Sequence, residues 1–242
     1  MVFDFTGKVI AITGGASGIG AATARAAAGV GARVAVLDVN DQLGAAVAGE
    51  HENITFHHMD VADHDEVLDT IGGVAARNGR LDGLVCCAIV QPLIPVIDMT
   101  PQQLRRVLGI NVEGVFWACK AAAPVMMRQG SGSIVLFVSG TADMGKPNSS
   151  PYTASKGAVA GFAHTFAKEV QPYGVRVNML RPGIIDTPQF RGSNPNADYS
   201  KLDTPEDVVG PAMFLLSDYA TMTNSLLTRE GSLPKAPLQV AP

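Results

Sequence analysis

A glycine-rich turn between an apolar strand and an alanine-rich helix constrains this chain more than any other feature. Residues 8–12 predict a buried strand, and the motif at 13–20 follows it with glycines at positions 14, 15, 18 and 20. Glycines permit a tight turn and close approach of the backbone to a ligand, while the N-terminus of the next helix presents N–H groups to a pyrophosphate. Strand, turn and helix in this order predict a dinucleotide-binding unit.

An acidic residue ends the second predicted strand, at residues 32–37. Asp38 lies close to the position, ~20 residues downstream of the glycine motif, at which such folds hold the ribose hydroxyls. Its carboxylate would accept hydrogen bonds from those hydroxyls and repel a 2′-phosphate. No Arg or Lys occupies the glycine turn or the positions just after Asp38. The sequence therefore predicts NAD rather than NADP as the cofactor.

Short β-rich runs alternate with helical segments along the chain, which is the pattern of a parallel sheet covered by helices on both faces. Further strands are predicted at residues 54–59, 81–88, 133–139, 175–180 and 225–228. The predicted fold class is α/β, a Rossmann-type doubly wound parallel sheet of about seven strands. A crevice is expected at the carboxyl ends of the strands. Five candidate residues follow such ends: Gly14, Asp38, Asp60, Ser139 and Pro182.

Tyr152 and Lys156 stand four residues apart in a segment, residues 151–171, that is predicted to be helical. This spacing places the phenol and the ammonium on one face of the helix. A tyrosine with a pKa near ~10 is a poor base at neutral pH, and a nearby cation lowers that pKa. Together with Ser139 at the end of an apolar run, the pair indicates a hydride-transfer enzyme.

The chain resembles the short-chain dehydrogenase/reductase family over residues 7–231. Residues 13–20 match the family's threonine-led Gly-x-x-x-Gly-x-Gly motif, Asp60 and Val61 match the pair that contacts adenine, and residues 182–187 match the segment that holds the nicotinamide carboxamide. Several motifs in the right order are far more specific than any one of them. The resemblance implies cofactor binding by Gly14, Ser17, Gly18, Ile19, Gly20, Asp38, Asp60, Val61, Ala88, Tyr152, Lys156, Pro182, Gly183, Ile184 and Thr187.

Asn111, Ser139, Tyr152 and Lys156 fall in the order of the family's catalytic tetrad. The resemblance implies that Tyr152 exchanges a proton with the substrate oxygen, which Ser139 orients. Lys156 would lower the pKa of the tyrosine and hold the nicotinamide ribose, and Asn111 would position a water that links the lysine to solvent. The predicted function is an NAD(H)-dependent interconversion of a secondary alcohol and a ketone.

Departures from the family pattern leave a second interpretation open. Ile89 stands where the family has a glycine after its fourth strand, and residues 223–224 and 230–232 differ from the family's C-terminal motifs. Residues 189–204 are short for a substrate-covering segment and predict a loop rather than long helices. Ile89 and this short segment support the alternative that the chain is a dinucleotide-binding regulatory protein with little turnover.

The length suits one catalytic domain at residues 1–242, with a substrate loop at 189–204 and a C-terminal tail at 232–242. The substrate is expected to be a small alcohol or ketone, held by residues 91–96, 140–149 and 189–198. Arg191 is the only arginine in those three segments, so an obligatory phosphate or a substrate with several carboxylates is disfavoured.

The overall charge and the cysteines limit the partners and the compartment. A net charge of -4 and the lack of a basic stripe argue against a nucleic-acid surface. No segment is convincing as a membrane span or a signal peptide, so a cytoplasmic protein is expected. Cys86, Cys87 and Cys119 give an odd count that suits a reducing compartment. No metal site is expected, because His57 and His58 are neighbours on a predicted strand and face opposite sides.

The predicted helix at 151–171 carries apolar residues around more than one face, which is more than packing against a sheet requires. These residues are Ala154, Ala158, Val159, Gly161, Phe162, Phe166 and Ala167. Together with the family resemblance, they predict a homo-oligomer, either a tetramer or a dimer, with a twofold interface.

Overall fold

A computed structural model of the chain describes residues 3–229, and within them seven strands form one parallel sheet. The strands are β1 Val9–Thr13, β2 Arg33–Asp38, β3 Ile54–His58, β4 Gly83–Cys86, β5 Gly132–Phe137, β6 Val175–Arg181 and β7 Leu226–Thr228. Their order across the sheet is β3-β2-β1-β4-β5-β6-β7. The predicted fold class is confirmed, and each strand overlaps its predicted range.

The helices lie on both faces of this sheet. They are α1 Gly18–Gly29, α2 Asp41–Ala48, α3 His64–Asn78, α4 Pro101–Leu108, α5 Gly114–Gln129, α6 Thr141–Met144, α7 Ser150–Val170, α8 Pro188–Ser193 and α9 Glu206–Leu216. Helices α3, α5 and α7 cover one face, while α1 and α9 cover the other. No helix within the described range is both long enough and apolar enough to cross a bilayer.

Two hydrophobic cores, one on each face, explain why the strands are almost continuously apolar. In β1, Val9 and Ala11 point into the core beneath α3, α5 and α7, whereas Ile10 and Ile12 point into the core beneath α1 and α9. Successive side chains of a strand face opposite sides, so a strand covered on both faces needs an apolar residue at every position. This double burial holds the carboxyl edge of the sheet in place.

The strand order reverses around β1, which lies between β2 and β4. All six pairings are parallel, so every connection crosses back over a face of the sheet and returns to the same edge. The connections after β1 and β4 leave in opposite directions and open a crevice between them. The fold therefore gathers the loops that follow the strands at one edge.

The helical run at residues 101–129 is interrupted near its middle. A π-helical segment, Gly109–Glu113, separates α4 from α5. Asn111 lies within this segment and is completely buried, and its side chain is hydrogen-bonded to a neighbouring loop. Short π-helical insertions frequently mark functional sites, since they re-aim a side chain without ending the helix.

The structure describes some of the segments in which the chain departs from the family pattern. Asn224, at a position where the family has glycine, adopts φ +60°, a left-handed conformation that asparagine tolerates better than most residues. Its side-chain oxygen lies 2.6 Å from His164 Nδ1. Residues 189–204 contain only part of α8 and a 3₁₀ turn, Tyr199–Lys201, in agreement with the predicted loop. The altered motif at 230–232 and the expected tail at 232–242 lie outside the described residues.

Candidate active site

A cleft of about 780 Å³ lies at the carboxyl edge of the sheet. Every residue that the sequence predicts to bind a cofactor lines this cleft, and so does Ser139. The lining comes from the turn after β1, the end of β2, the loops after β3, β4, β5 and β6, and the start of α7. Residues separated by more than 150 positions in the sequence thus meet at one surface. This is expected where loops follow the carboxyl ends of parallel strands.

The glycine turn is packed directly against the end of β4. Gly14 has φ +65°, and a Cβ atom there would lie 2.6 Å from the backbone nitrogen of Ala88. A Cβ atom on Gly20 would lie 2.3 Å from the carbonyl oxygen of Gly14. Both distances are shorter than any real carbon contact, so only glycine fits at either position.

The first turn of α1 is open to an anion. Ser17 is the N-cap residue of α1, yet its side chain makes no capping hydrogen bond. The first amides of a helix lack partners within the helix and carry its positive dipole end. The glycine backbone and the uncapped start of α1 therefore form a site that fits the pyrophosphate of a dinucleotide.

Asp38 is held in place by backbone amides at the end of β2. Its Oδ2 accepts a hydrogen bond from Ala16 N (3.1 Å) and its Oδ1 accepts one from Asn40 N (3.0 Å). The carboxylate thereby connects the glycine turn to the second strand while it lines the cleft. Each oxygen has a second lone pair, and these can accept hydrogen bonds from hydroxyl groups.

Helix α7 brings Tyr152 and Lys156 together on its buried face. The two residues are only 8% and 3% exposed, and Lys156 Nζ lies 5.7 Å from the centroid of the tyrosine ring. The ammonium donates a 2.7 Å hydrogen bond to the Phe137 carbonyl at the end of β5. The four-residue spacing thus brings the phenol and the ammonium to one site, as predicted.

The pKa of Tyr152 shifts in the direction opposite to the one expected from the sequence. Burial raises the pKa of Tyr152 above its ordinary value, and a hydrogen bond with the Ser139 hydroxyl lowers it by a smaller amount. The expected lowering by Lys156 does not decide the net shift, because desolvation disfavours the phenolate more strongly than the neighbouring groups favour it. Burial also lowers the pKa of Lys156 to about 8.

Asn111 is brought next to the site but does not line the cleft. Its Nδ2 donates to the Val90 carbonyl (2.9 Å) and to Ser155 Oγ (3.1 Å), while Val90 N donates to its Oδ1 (2.8 Å). Ser155 Oγ in turn donates to the Tyr152 carbonyl (2.7 Å). Asn111 therefore joins the loop after β4, which carries the half-buried Ile89, to the helix that carries Tyr152.

Arg191, the arginine that the sequence analysis placed in a substrate-holding segment, is not among the cations of the cleft. Arg191 does not line the cleft, because both its Nε and Nη2 bind the Asp186 carboxylate at 2.6 Å. Lys146 lines the cleft from a predicted segment, whereas Arg105 and Arg106 line it from α4 and were missed. Adjacent arginines in the last turn of an amphipathic helix resemble a solvated face, so only the tertiary structure reveals their position.

The cysteines and histidines contribute no further chemistry to this site. Burial raises the pKa values of Cys87 and Cys119, so both thiols are protonated at neutral pH. Cys87 lines the cleft as a small apolar side chain. Across residues 3–229, no group of three or more His, Cys, Asp or Glu side chains is arranged to hold a metal ion.

Comparison with known proteins assigns this arrangement to a family. A family model described as short chain dehydrogenase matches residues 8–198. Secoisolariciresinol dehydrogenase of Forsythia intermedia is 38% identical over 88% of this chain and 84% of its own. 2,5-Dichloro-2,5-cyclohexadiene-1,4-diol dehydrogenase of Sphingobium indicum is 33% identical over 94% of this chain and 97% of its own.

A solved structure shares the whole architecture. The crystal structure of 3-ketoacyl-(acyl-carrier-protein) reductase from Brucella melitensis complexed with NADH superposes with a TM-score of 0.86. The two chains are 27% identical, and the match covers 93% of this chain and 98% of the reductase. The architecture of this chain is therefore shared with a reductase whose structure contains NADH.

The burial of Lys156 predicts a pH-dependent stability. Below pH 8 the lysine is charged in both the folded and the unfolded chain, so folding bears the full cost of burying the charge. Between pH 8 and its ordinary pKa of 10.5 the folded lysine loses its proton first, and the cost disappears. Lys156→Met removes this cost but also loses the hydrogen bond to Phe137. The net effect at pH 7 should be a stabilisation of roughly 2 kcal/mol, which corresponds to roughly 4–8 °C in Tm.

Thermal unfolding monitored by circular dichroism between pH 6.5 and 10 measures this difference. The advantage of the methionine variant over the native protein should shrink as the pH rises above 8. Lys168→Met, on the exposed side of the same helix, is the control and should show no such trend. If the higher thermal stability of Lys156→Met stayed constant across this pH range, burial of the charged lysine would not be the cause of the difference.

Proposed function

The chain belongs to the short-chain dehydrogenase family, and from that premise we propose that it interconverts a secondary alcohol and a ketone with NAD(H). One observation carries the proposal: a single cleft unites the glycine turn and Asp38 with Ser139, Tyr152 and Lys156. The bound dinucleotide supplies or accepts the hydride, and the protein supplies binding, orientation and proton transfer.

The cofactor contacts are proposed from the lining of the cleft. Gly14, Ser17 and the first turn of α1 hold the pyrophosphate, Asp38 accepts hydrogen bonds from the adenosine ribose, and Asp60 with Val61 bounds the adenine site. The remaining contacts, toward the nicotinamide, come from Ala88, Tyr152, Lys156, Pro182, Gly183, Ile184 and Thr187.

Tyr152 is proposed to hold the proton that is exchanged with the substrate. The raised pKa keeps the phenol protonated at neutral pH, which suits it to donate a proton to a carbonyl oxygen in the reducing direction. In the oxidising direction the phenol must lose that proton, and a positive charge on Lys156 would stabilise the phenolate. Ser139, whose hydrogen bond lowers the pKa of Tyr152, orients the substrate oxygen.

Asn111 acts on this site through other residues. It fixes the backbone of Val90 and, through Ser155, the first turn of α7. We assign it a positioning role that keeps the loop after β4 at a constant distance from Tyr152. This role adds to the water-holding role that the family resemblance implies.

The preference for NAD is proposed on electrostatic grounds. Residues 37–40 line the cleft at the end of β2 and include Asp38 but no cation. The cations of the cleft lie elsewhere, on α4, on α7 and in the loop between α6 and α7. A 2′-phosphate would meet the Asp38 carboxylate without a compensating charge. The complex of the Brucella melitensis reductase with NADH supports the same choice.

A homo-oligomer in a reducing, cytoplasmic setting is proposed from the surface and the cysteines. All three cysteines are free. Phe116 of α5 is 41% exposed, and its ring lies 4.0 Å, centroid to centroid, from the ring of Phe162 on α7. Phe166 stacks on Phe162 at 5.1 Å and extends the apolar patch. A second copy can cover this patch across a twofold axis.

Tyr152→Phe tests the reaction assignment. Because only the proton-carrying hydroxyl is lost, turnover of secondary alcohols and ketones should fall at least ~100-fold, while the Kd for NADH stays within about threefold of the native value. Tyr173→Phe, at an exposed position, is the control. Near-normal turnover in Tyr152→Phe would refute the assignment. Tight NADH binding by the native protein, without turnover of any compound in a broad panel, would favour the regulatory alternative.

Asp38→Ser tests the cofactor preference. The native protein should have the higher kcat/KM with NAD, and the serine variant should reduce the NAD/NADP ratio by roughly 10-fold to 100-fold because the repulsion of a 2′-phosphate is lost. Asp41→Ser, at an exposed carboxylate that hydrogen-bonds to His58, is the matched control. A native preference for NADP would show that the role of Asp38 has been misassigned.

Phe116→Glu tests the assembly. A charge within the aromatic patch should dissociate the oligomer, because burial of an unpaired carboxylate at an interface is strongly unfavourable. Light scattering at micromolar concentration should give a multiple of the 25.2 kDa chain mass for the native protein and a smaller mass for the variant. Tyr219→Glu, at another exposed aromatic, should leave the mass unchanged. A monomeric native protein would overturn the proposal.

A further inference from the structure

A second cavity of about 350 Å³ opens beside the cleft and shares part of its wall. The shared lining residues are Val90, Gln91, Arg106, Pro188 and Gln189. Tyr152 and Ser139 line only the larger cleft. A molecule whose reacting carbon lies beside Tyr152 can therefore extend past Arg106 into this side pocket.

The side pocket combines an apolar wall with one positive charge. Aliphatic side chains, among them Pro92 and Ile94, form much of its surface, and Gln91, Gln103 and Gln189 add amide groups. Its lining, as far as the described chain forms it, contains no Asp or Glu. The acidic residues of the adjoining cleft, Asp38 and Asp60, lie at the cofactor end. The lining of the substrate end thus contains positive charge and no carboxylate.

The Arg106 side chain has no hydrogen-bond or ion-pair partner among residues 3–229, whereas two nearby cations, Lys146 and Arg191, do. Lys146 donates a 3.0 Å hydrogen bond to Asn194 Oδ1, and Arg191 is bound to Asp186. A guanidinium remains charged at every physiological pH and offers five donors. Arg105 lines the cleft but not the side pocket. Arg106 is therefore the cation that can bind an anionic group of a ligand there.

The backbone beneath Arg106 is fixed. Thr100 and Gln103 form a capping box at the start of α4, with Thr100 N donating to Gln103 Oε1 (2.9 Å) and Gln103 N donating to Thr100 Oγ1 (3.3 Å). Val107, next to Arg106, is only 1% exposed and anchors the end of the helix in the core. A short helix fixed at both ends presents its arginine with little backbone freedom to lose on binding.

We infer that Arg106 selects substrates that carry a carboxylate remote from the carbinol or carbonyl carbon. The carboxylate binds the guanidinium in the side pocket while the reacting oxygen lies beside Tyr152 and Ser139, an assignment of the reacting end that rests on the proposed function. Paired N–H donors match the two oxygens of a carboxylate. The aliphatic wall suits a hydrocarbon ring or chain between the two ends of the substrate.

The first experiment measures binding without turnover. The NADH-loaded protein is titrated with cyclohexanecarboxylate and, separately, with the neutral cyclohexanecarboxamide, and the fluorescence of bound NADH reports the complex. The acid should bind more tightly than the amide, and Arg106→Gln should weaken binding of the acid about tenfold while changing the amide much less. Arg128→Gln, which removes the same charge from the exposed end of α5, should leave the acid/amide ratio unchanged.

The second experiment measures the kinetic preference. The kcat/KM of the native protein for 4-oxocyclohexanecarboxylate should exceed that for 4-methylcyclohexanone, and Arg106→Gln should reduce this ratio about tenfold, chiefly through KM. Arg106→Lys should retain part of the preference, since the charge remains but the paired donors are lost.

The outcomes separate this inference from the proposed function. Equal binding of acid and amide by the native protein, or an Arg106→Gln variant with an unchanged ratio, overturns the role of Arg106 even when the neutral ketone is reduced. Failure to bind NADH, or carboxylate binding with no turnover of either ketone, overturns the proposed function. In the latter case the titration still decides whether Arg106 binds the carboxylate.

Discussion

Close contact between the glycine turn and the end of β4 is the constraint on which the rest of the cleft depends. Gly14 approaches the backbone of Ala88 so closely that no Cβ atom fits between them, and Gly20 is packed as closely onto Gly14. These contacts place the start of α1 over the point where the strand order reverses. Asp38 accepts a hydrogen bond from Ala16 N of the same turn, so the proposed cofactor-binding surface is one connected unit.

The buried ammonium of Lys156 lowers stability, while the proposed mechanism requires it beside Tyr152. Its hydrogen bond to Phe137 compensates for only part of its lost hydration, and the pKa falls to about 8 as a result. An apolar side chain would fill the position at lower cost. The charge is nevertheless placed beside Tyr152, where a phenolate would form, and an isolated buried charge is typical of a functional site rather than of a stable core.

Asn111 and Arg106 illustrate how one helical region serves two ends of the cleft. The π-helical segment turns Asn111 inward, where it fixes the loop that carries Val90. One helical turn earlier, Arg106 projects toward the side pocket that the same loop lines. The reacting end and the proposed carboxylate end of the substrate site therefore share a single supporting element, which sets the distance between them.

The sequence by itself determined the sheet, its nucleotide-binding turn and the pairing of Tyr152 with Lys156. These features follow from local rules: apolar runs, glycine spacing and the pitch of a helix. The tertiary structure alone decided the net pKa shift of Tyr152, the partners of Asn111, the ion pair that takes Arg191 away from the cleft and the position of Arg106. Those properties depend on burial and on contacts between residues far apart in the chain, and no local pattern encodes either.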